Sequence, residues 1–210
     1  MLRRVVIASL ILATLSVAED VPKKRETLLL LPEPFALRNS LSIVPAGARQ
    51  TVLTPAREKA GQPGSIEPYP AEEFATLGLS AETFAKRAAA AADKRLAVLK
   101  PDIIRDEQGR VLYAVYRGES EHFASLLVAP SLPKLFEAMF GKELWVALPD
   151  RHALYIFPAQ SAAMEEFTQD LAIRYAEEPF AASGEIFSLK TGEEPRVIAF
   201  FAGEPREDRR

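Results

Sequence analysis

The sequence predicts an α+β protein: a mainly antiparallel β-sheet with helices packed largely on one face, preceded by a proline-rich N-terminal arm. Apolar, strand-forming runs occur in pairs joined by short polar turns, as neighbouring antiparallel strands require. Stretches with helical periodicity separate those pairs. Finally, 8 of the 16 prolines fall between residues 19 and 70, a density that excludes a long helix there.

Composition bounds the class of protein. A chain of 210 residues that is 48% apolar is long enough for one well-buried core. Its formal net charge of -3 provides no positive field for a phosphate backbone, so we expect no nucleic-acid partner. The absence of cysteine excludes disulfides, thiolate nucleophiles and cysteine-ligated metals. With only two histidines a His-rich metal site is excluded, and any metal would need carboxylates; we expect neither a metal nor a cofactor.

Residues 1–18 have the three parts of a secretory signal peptide. Arg3 and Arg4 precede an apolar run over 5–17, and the small-x-small sequence at 16–18 is typical of a cleavage site. The run is shorter than the roughly 20 residues that cross a bilayer, so we expect cleavage near Glu19 and no stable membrane span afterwards. The sequence therefore predicts a secreted or periplasmic protein.

The arm comprises residues 19–70 and contains three apolar segments. The β-branched segments 41–45 and 50–55 are joined by a short Gly-containing turn, which predicts a hairpin over 41–55. Residues 26–32 are expected to add a strand or to pack as an arm over the main sheet. The Gly- and Pro-containing stretch 57–70 is typical of a linker, which places the start of the α+β domain at residue 71.

The α+β domain, residues 71–202, begins with helices and hairpins in alternation. Ser80 precedes a helical stretch over 81–100 with its basic residues near the end, and Pro101 terminates it. Strands are predicted at 103–105 and 110–117, around a turn that contains Gly109. The apolar run 122–128 is expected to be another strand.

The second half of the domain repeats that order of elements. Periodicity predicts a short helix after Ser131 that Gly141 closes, and a longer helix over 161–178. Strands are expected at 185–190 and 196–201. Residues 203–210 form a charged tail.

The organising element is the predicted hairpin over 143–157, ELWVALPDRHALYIF. Its first strand, LWVAL, is apolar at every position, which indicates that both faces of the strand are covered. We therefore place this hairpin inside the sheet. Helices would cover one face, and the arm or another subunit would cover the other.

The turn of that hairpin carries the candidate catalytic residues Asp150, Arg151 and His152. An acid, a permanent cation and an imidazole at the end of a rigid hairpin could be held over a cleft. The alternative interpretation is turn chemistry, because Pro-Asp is typical of tight turns and no nucleophile stands at a recognisable spacing.

Two further polar groups are candidate sites. Because neighbouring strand residues point to opposite faces, Ser120 is better placed than Glu121 to orient His122, and a solvated histidine is the simpler interpretation. Glu166 and Asp170 are neighbours one helical turn apart that could share a divalent cation, although solvation and the helix dipole explain an acidic helix surface equally well.

The segment 109–192 resembles the YtpQ-type bacterial family of unknown function. The resemblance rests on the order of elements, on LWVALPDRHALYIF and on Glu178-Pro179-Phe180. It implies a shape and no reaction, since that family has no established activity to transfer.

From the residues we expect an exported, non-catalytic binding or interaction module of the cell envelope, with the arm and the open sheet edges facing a partner. The partner would be another envelope protein or a second copy of the chain. The alternative is a hydrolase of an unfamiliar type that uses Asp150, Arg151 and His152.

Overall fold

The computed structural model describes residues 27–201; the predicted signal peptide and the charged tail from residue 203 lie outside the described residues. Four α-helices and nine strands in antiparallel sheets confirm the predicted α+β class. In chain order the elements are β1 Leu29–Pro34, a 3₁₀ turn Phe35–Leu37, β2 Thr51–Glu58, β3 Ile66–Pro68, α1 Ala71–Thr76, α2 Ala81–Leu96, β4 Asp102–Arg105, β5 Val111–Arg117, a 3₁₀ helix Ala124–Val128, α3 Leu132–Phe140, β6 Glu143–Ala147, β7 Ala153–Pro158, α4 Ala162–Glu177, β8 Glu185–Lys190 and β9 Arg196–Phe200.

The predicted hairpin, β6 and β7, lies at the centre of a six-stranded sheet. The strand order is β4-β5-β7-β6-β8-β9, and every neighbouring pair is antiparallel. Val146 of β6 pairs with Ile156 of β7, and both side chains are fully buried. This arrangement confirms that the hairpin is interior to the sheet.

Both faces of the sheet are covered, as the apolar strand predicts. Leu144 and Val146 point into one core, to which α1, α2, α3 and the arm contribute. Trp145 and Ala147 point to the opposite core, to which α4 contributes Met164. Three of the four helices therefore pack on one face. The expectation that the arm or another subunit covers the second face is wrong, because α4 covers it.

The arm folds into its own three-stranded sheet, in the order β1-β2-β3. Leu30 and Leu53 of that sheet join the large core beneath α2, so the arm packs against the main domain. The segment 41–45 does not form a strand of the predicted hairpin and contributes one bridge, from Ile43 to Leu53. The strand that pairs with β2 instead is β1, which realises the strand alternative for residues 26–32.

The predicted strand at 122–128 is wrong. Residues Ala124–Val128 form a 3₁₀ helix whose Ala124, Leu126 and Leu127 are buried in the large core. A short apolar run without alternation is compatible with any fully buried segment, so periodicity cannot separate the two structures here. The short helix places His122 and Glu121 in a loop rather than on a strand.

Candidate functional site

The hairpin turn that carries Asp150, Arg151 and His152 is buried. The Asp150 side chain has no exposed surface. Its Oδ1 accepts a hydrogen bond of 2.7 Å from the His152 backbone N–H, and its Oδ2 accepts one from Nε of Arg174 on α4. The expectation of an exposed tip held over a cleft is therefore wrong for Asp150, which ties the turn to α4.

Arg151 lies in a buried triad with two glutamates. Its Nη2 donates to Glu33 Oε1 of β1 at 2.9 Å, and its Nη1 donates to Glu121 Oε2 at 3.0 Å. The three side chains retain only 11%, 3% and 8% of their exposure, in the order Arg151, Glu33 and Glu121. One guanidinium therefore holds the arm, the loop after β5 and the hairpin turn together.

The triad carries more negative than positive charge when both carboxylates are ionised. Burial raises the pKa of Glu33, against the opposing effects of the Thr54 hydroxyl and of the charge and hydrogen bond of Arg151. Such a rise indicates that the single cation does not fully compensate the loss of water around two carboxylates. The triad can therefore take up a proton more readily than an isolated glutamate.

His152 is the most accessible of the three candidates. Its ring meets the Phe180 ring edge-on at a centroid separation of 5.8 Å, and its backbone C=O accepts a hydrogen bond of 3.2 Å from Gly118. Within residues 27–201, its ring nitrogens make no hydrogen bond. The three candidates are neighbours in the turn, but the Asp150 side chain binds Arg174 and the Arg151 side chain binds Glu33 and Glu121.

Ser120 orients His122, but the expectation of a solvated histidine on a strand is wrong, because the ring is partly buried in a loop. Ser120 Oγ lies 2.8 Å from His122 Nδ1, while Nε2 is buried and makes no hydrogen bond to the described residues. Burial lowers the pKa of His122, and the charge of Arg95 lowers it further; Glu58 and Glu121 act in the opposite direction. Burial also lowers the pKa of Arg95 to about 10. The imidazole is thus held in its neutral form near a buried cation.

A groove of about 290 Å³ runs along α4 beside Tyr155. Its lining includes Tyr155 and Phe167 together with Asp170, Arg174 and Glu177. Arg174 donates to the Tyr155 hydroxyl at 3.3 Å as well as to Asp150, so two partners already bind this guanidinium. The Glu166–Asp170 pair is exposed on the same helix. No group of three or more His, Asp or Glu residues in the described range is arranged to hold a metal ion.

One edge of the main sheet, β9, is partly covered by the arm. Val197 donates its N–H to the Ala46 carbonyl at 2.8 Å, and Ala46 forms a parallel bridge with Arg196. Gly47 makes this approach possible: its φ is +78°, and an added Cβ would lie 2.6 Å from the Val197 oxygen. Beyond the bridge, Ile198 and Phe200 remain 41% and 44% exposed.

Buried polar contacts hold the arm at that edge. Glu185 Oε1 of β8 accepts the backbone N–H groups of Arg49 at 2.7 Å and of Gln50 at 3.1 Å. Next to them, the Thr51 and Ser183 hydroxyls lie 2.6 Å apart. The arm is therefore fixed through specific hydrogen bonds as well as apolar packing.

Sequence reasoning missed Glu33, Glu121, Arg174 and Glu185, which hold the turn and the arm in place. A usable signal existed for Glu33, since Leu29, Leu31 and Glu33 follow one another at the two-residue period of a buried strand face. A charge at such a position indicates a buried partner. Nothing in the local sequence identifies that partner as Arg151.

No helix within residues 27–201 has the length and apolar character needed to cross a membrane.

No protein-family model, no curated protein and no solved structure matches the chain. The resemblance of residues 109–192 to the YtpQ-type family therefore stays a prediction.

Proposed function

We propose that the protein is an exported, non-catalytic interaction module of the cell envelope that binds an extended polypeptide along the open end of β9. The observation that supports this proposal is the exposure of Ile198 and Phe200 on the last strand of a six-stranded sheet. An edge strand offers unpaired backbone groups to a further strand, and apolar side chains beside them supply contact area.

The opposite edge of the sheet is less suited to a partner. There β4 is four residues long and has charged Asp102 and Arg105 at its ends, and short charged edges are the usual protection against strand addition. Its two isoleucines are already partly buried against the two cores. This contrast between the edges favours β9 as the binding surface.

The test compares matched substitutions on two exposed apolar positions. Ile198→Lys places a charge on the proposed edge, whereas Val98→Lys does so at the end of α2, where Val98 is 81% exposed. A displayed library of random linear peptides is selected on the wild-type chain, and binding of the recovered peptides to both variants is measured. Loss of binding with Ile198→Lys alone supports the proposal; equal binding to both variants, or no recovered peptide, contradicts it.

The same variants separate the two kinds of partner. If the occupant is a second copy of the chain, light scattering will show a concentration-dependent dimer that Ile198→Lys abolishes and Val98→Lys retains. A peptide partner leaves the wild-type chain monomeric.

Export is tested independently by N-terminal sequencing of the protein recovered outside the cytoplasm, which we expect to begin at Glu19.

The alternative hydrolase stays a prediction with less chemical support. Asp150 and Arg151 are bound to Arg174, Glu33 and Glu121, so such an enzyme would act through His152. His152→Ala in a screen of hydrolytic substrates tests it: an activity that this substitution removes would establish the alternative, and an activity that it leaves intact would eliminate His152.

A further inference from the structure

We infer that the triad of Glu33, Arg151 and Glu121 is a proton-sensitive latch that holds the arm more tightly on the domain as the pH falls. The latch itself is independent of any partner. That a tightly held arm covers part of the partner-binding edge of β9 rests on the proposed function.

Charge and burial favour a proton in the triad. Two carboxylates share one guanidinium in a site from which water is almost excluded, and Glu33 Oε2 is buried and makes no hydrogen bond to the described residues. A proton on Glu33 would make the site electrically neutral and remove the cost of keeping a second carboxylate charged away from water. The folded arm therefore prefers the protonated site.

Other charged groups face the triad and modify its response. Glu33 faces Arg151 of the hairpin turn, and Glu121 acts on His122 in the loop after β5, on which Glu58 of β2 and Arg95 of α2 also act. Protonation of His122 would add positive charge to a site already close to Arg95, so His122 opposes closure as the pH falls. Only a comparison that changes Glu33 alone isolates the latch.

The position of Glu33 connects the latch to the covered edge. Glu33 pairs with Val52 across the β1–β2 ladder, and the next pair is Pro34 with Thr51. Thr51 contacts Ser183, and the residue before it, Gln50, donates to Glu185. Loosening at Glu33 would therefore reach the segment that bridges Val197, which is the part of the arm that covers the start of β9.

The sign of the effect follows from the raised pKa of Glu33. The unfolded chain releases this proton near 4.5, whereas the folded chain keeps it to higher pH. The stabilisation is fully present below 4.5 and is lost as the pH rises through the higher folded-state pKa. Ionised carboxylates that are stabilised in the fold, such as Glu143, lose their contribution below 4.5, in a separate range.

The experiment is hydrogen exchange of the Phe35 and Gln50 amides at about pH 7.5 and about pH 4, corrected for the intrinsic pH dependence of exchange. It uses the purified full chain and three substitutions: Glu33→Gln, Glu121→Gln and, as control, exposed Glu72→Gln. Near-ultraviolet circular dichroism verifies that each variant folds, and Glu121→Gln removes the same excess charge if Glu33→Gln does not fold.

We expect Glu33→Gln to protect these amides several-fold more than the wild type at the higher pH, and the difference to vanish at the lower pH. Glu72→Gln should follow the wild type. Equal pH dependence in the wild type and in both triad variants overturns the latch, whatever peptides bind to β9. Unequal dependence without any peptide binding supports the latch and contradicts only the proposed function.

Discussion

Asp150 and Arg151 are neighbours in the chain, yet their side chains bind partners on opposite faces of the central sheet. Asp150 binds Arg174 of α4, and Arg151 binds Glu33 of the arm. The turn of the central hairpin thus connects the two layers that cover the sheet. This relationship explains why charged residues occupy a buried turn.

Removal of the Arg151 guanidinium should be among the most damaging changes in the chain. Arg151→Leu leaves Glu33 and Glu121 buried without a counter-charge, and the loss of one partner from a buried ion pair costs about 3–5 kcal/mol. Urea unfolding measures the change in the free energy of unfolding. The triple variant Arg151→Leu, Glu33→Gln, Glu121→Gln should recover most of that loss because no buried charge remains.

Arg117→Leu is the matched control, since Arg117 pairs with Asp102 at 3.0 Å while more than half of each side chain is exposed. Exposed ion pairs contribute about 0–1 kcal/mol. A loss at Arg151 no larger than the loss at Arg117 would contradict the assignment of the triad as a structural junction.

Gly47→Ala should detach the arm from the β9 edge without unfolding the domain. The new Cβ would meet the Val197 oxygen at 2.6 Å, and the residue would retain an unfavourable φ of +78°. Gly61→Ala has nearly the same φ, +75°, with no atom within 4 Å of the added carbon. Exchange of the Val197 amide should therefore accelerate with Gly47→Ala only; equal acceleration in both variants would mean that backbone strain, rather than contact with β9, is responsible.

His122 should titrate below the usual histidine range. Burial and then Arg95 depress its pKa below 6.5, so the folded state favours the neutral ring. Its contribution to stability is fully present above 6.5 and is lost as the pH falls towards the lower folded-state pKa. An NMR titration of the ring protons measures the midpoint, and Arg95→Gln should raise it. A midpoint at or above 6.5 would contradict the burial of this imidazole beside Arg95.

Leu144→Ala should destabilise the protein by about 2–5 kcal/mol, the usual cost of truncating a buried leucine. Leu144 has no exposed surface and lies on the central strand β6, whereas Leu135 of α3 is 57% exposed. Leu135→Ala should cost far less, because little of its side chain leaves water on folding. Thermal and urea unfolding of both variants check the comparison; similar losses would mean that β6 is not at the centre of the core.

The sequence predicts the main sheet well because its signals are local. Paired apolar runs, a capping Ser80 and the closing Gly141 identify β4 to β9 and the longer helices from neighbouring residues alone. The exceptions are segments whose partners are distant. Ala124–Val128 is buried on all sides and so lacks a period, and β1 becomes a strand because β2 is available to pair with it.

The site was less predictable for the same physical reason. Glu33 and Arg151 are separated by more than a hundred residues, and no spacing rule connects them. The turn chemistry of Asp150 was visible from the Pro-Asp dipeptide, but its burial depends on Arg174 arriving from α4. Local pattern identifies such polar residues as candidates, while tertiary packing decides whether they are exposed.

A double-mutant cycle measures the interaction between Glu33 and Arg151 directly. The free energies of unfolding of the wild type, Glu33→Gln, Arg151→Gln and the double variant are determined by urea titration. If this pair joins the arm to the hairpin turn, the two changes will be non-additive by about 0.5–3 kcal/mol, with Arg151→Gln less damaging when Glu33 is already replaced. Additive changes would show that the two residues do not interact and that this pair does not join the arm to the hairpin turn.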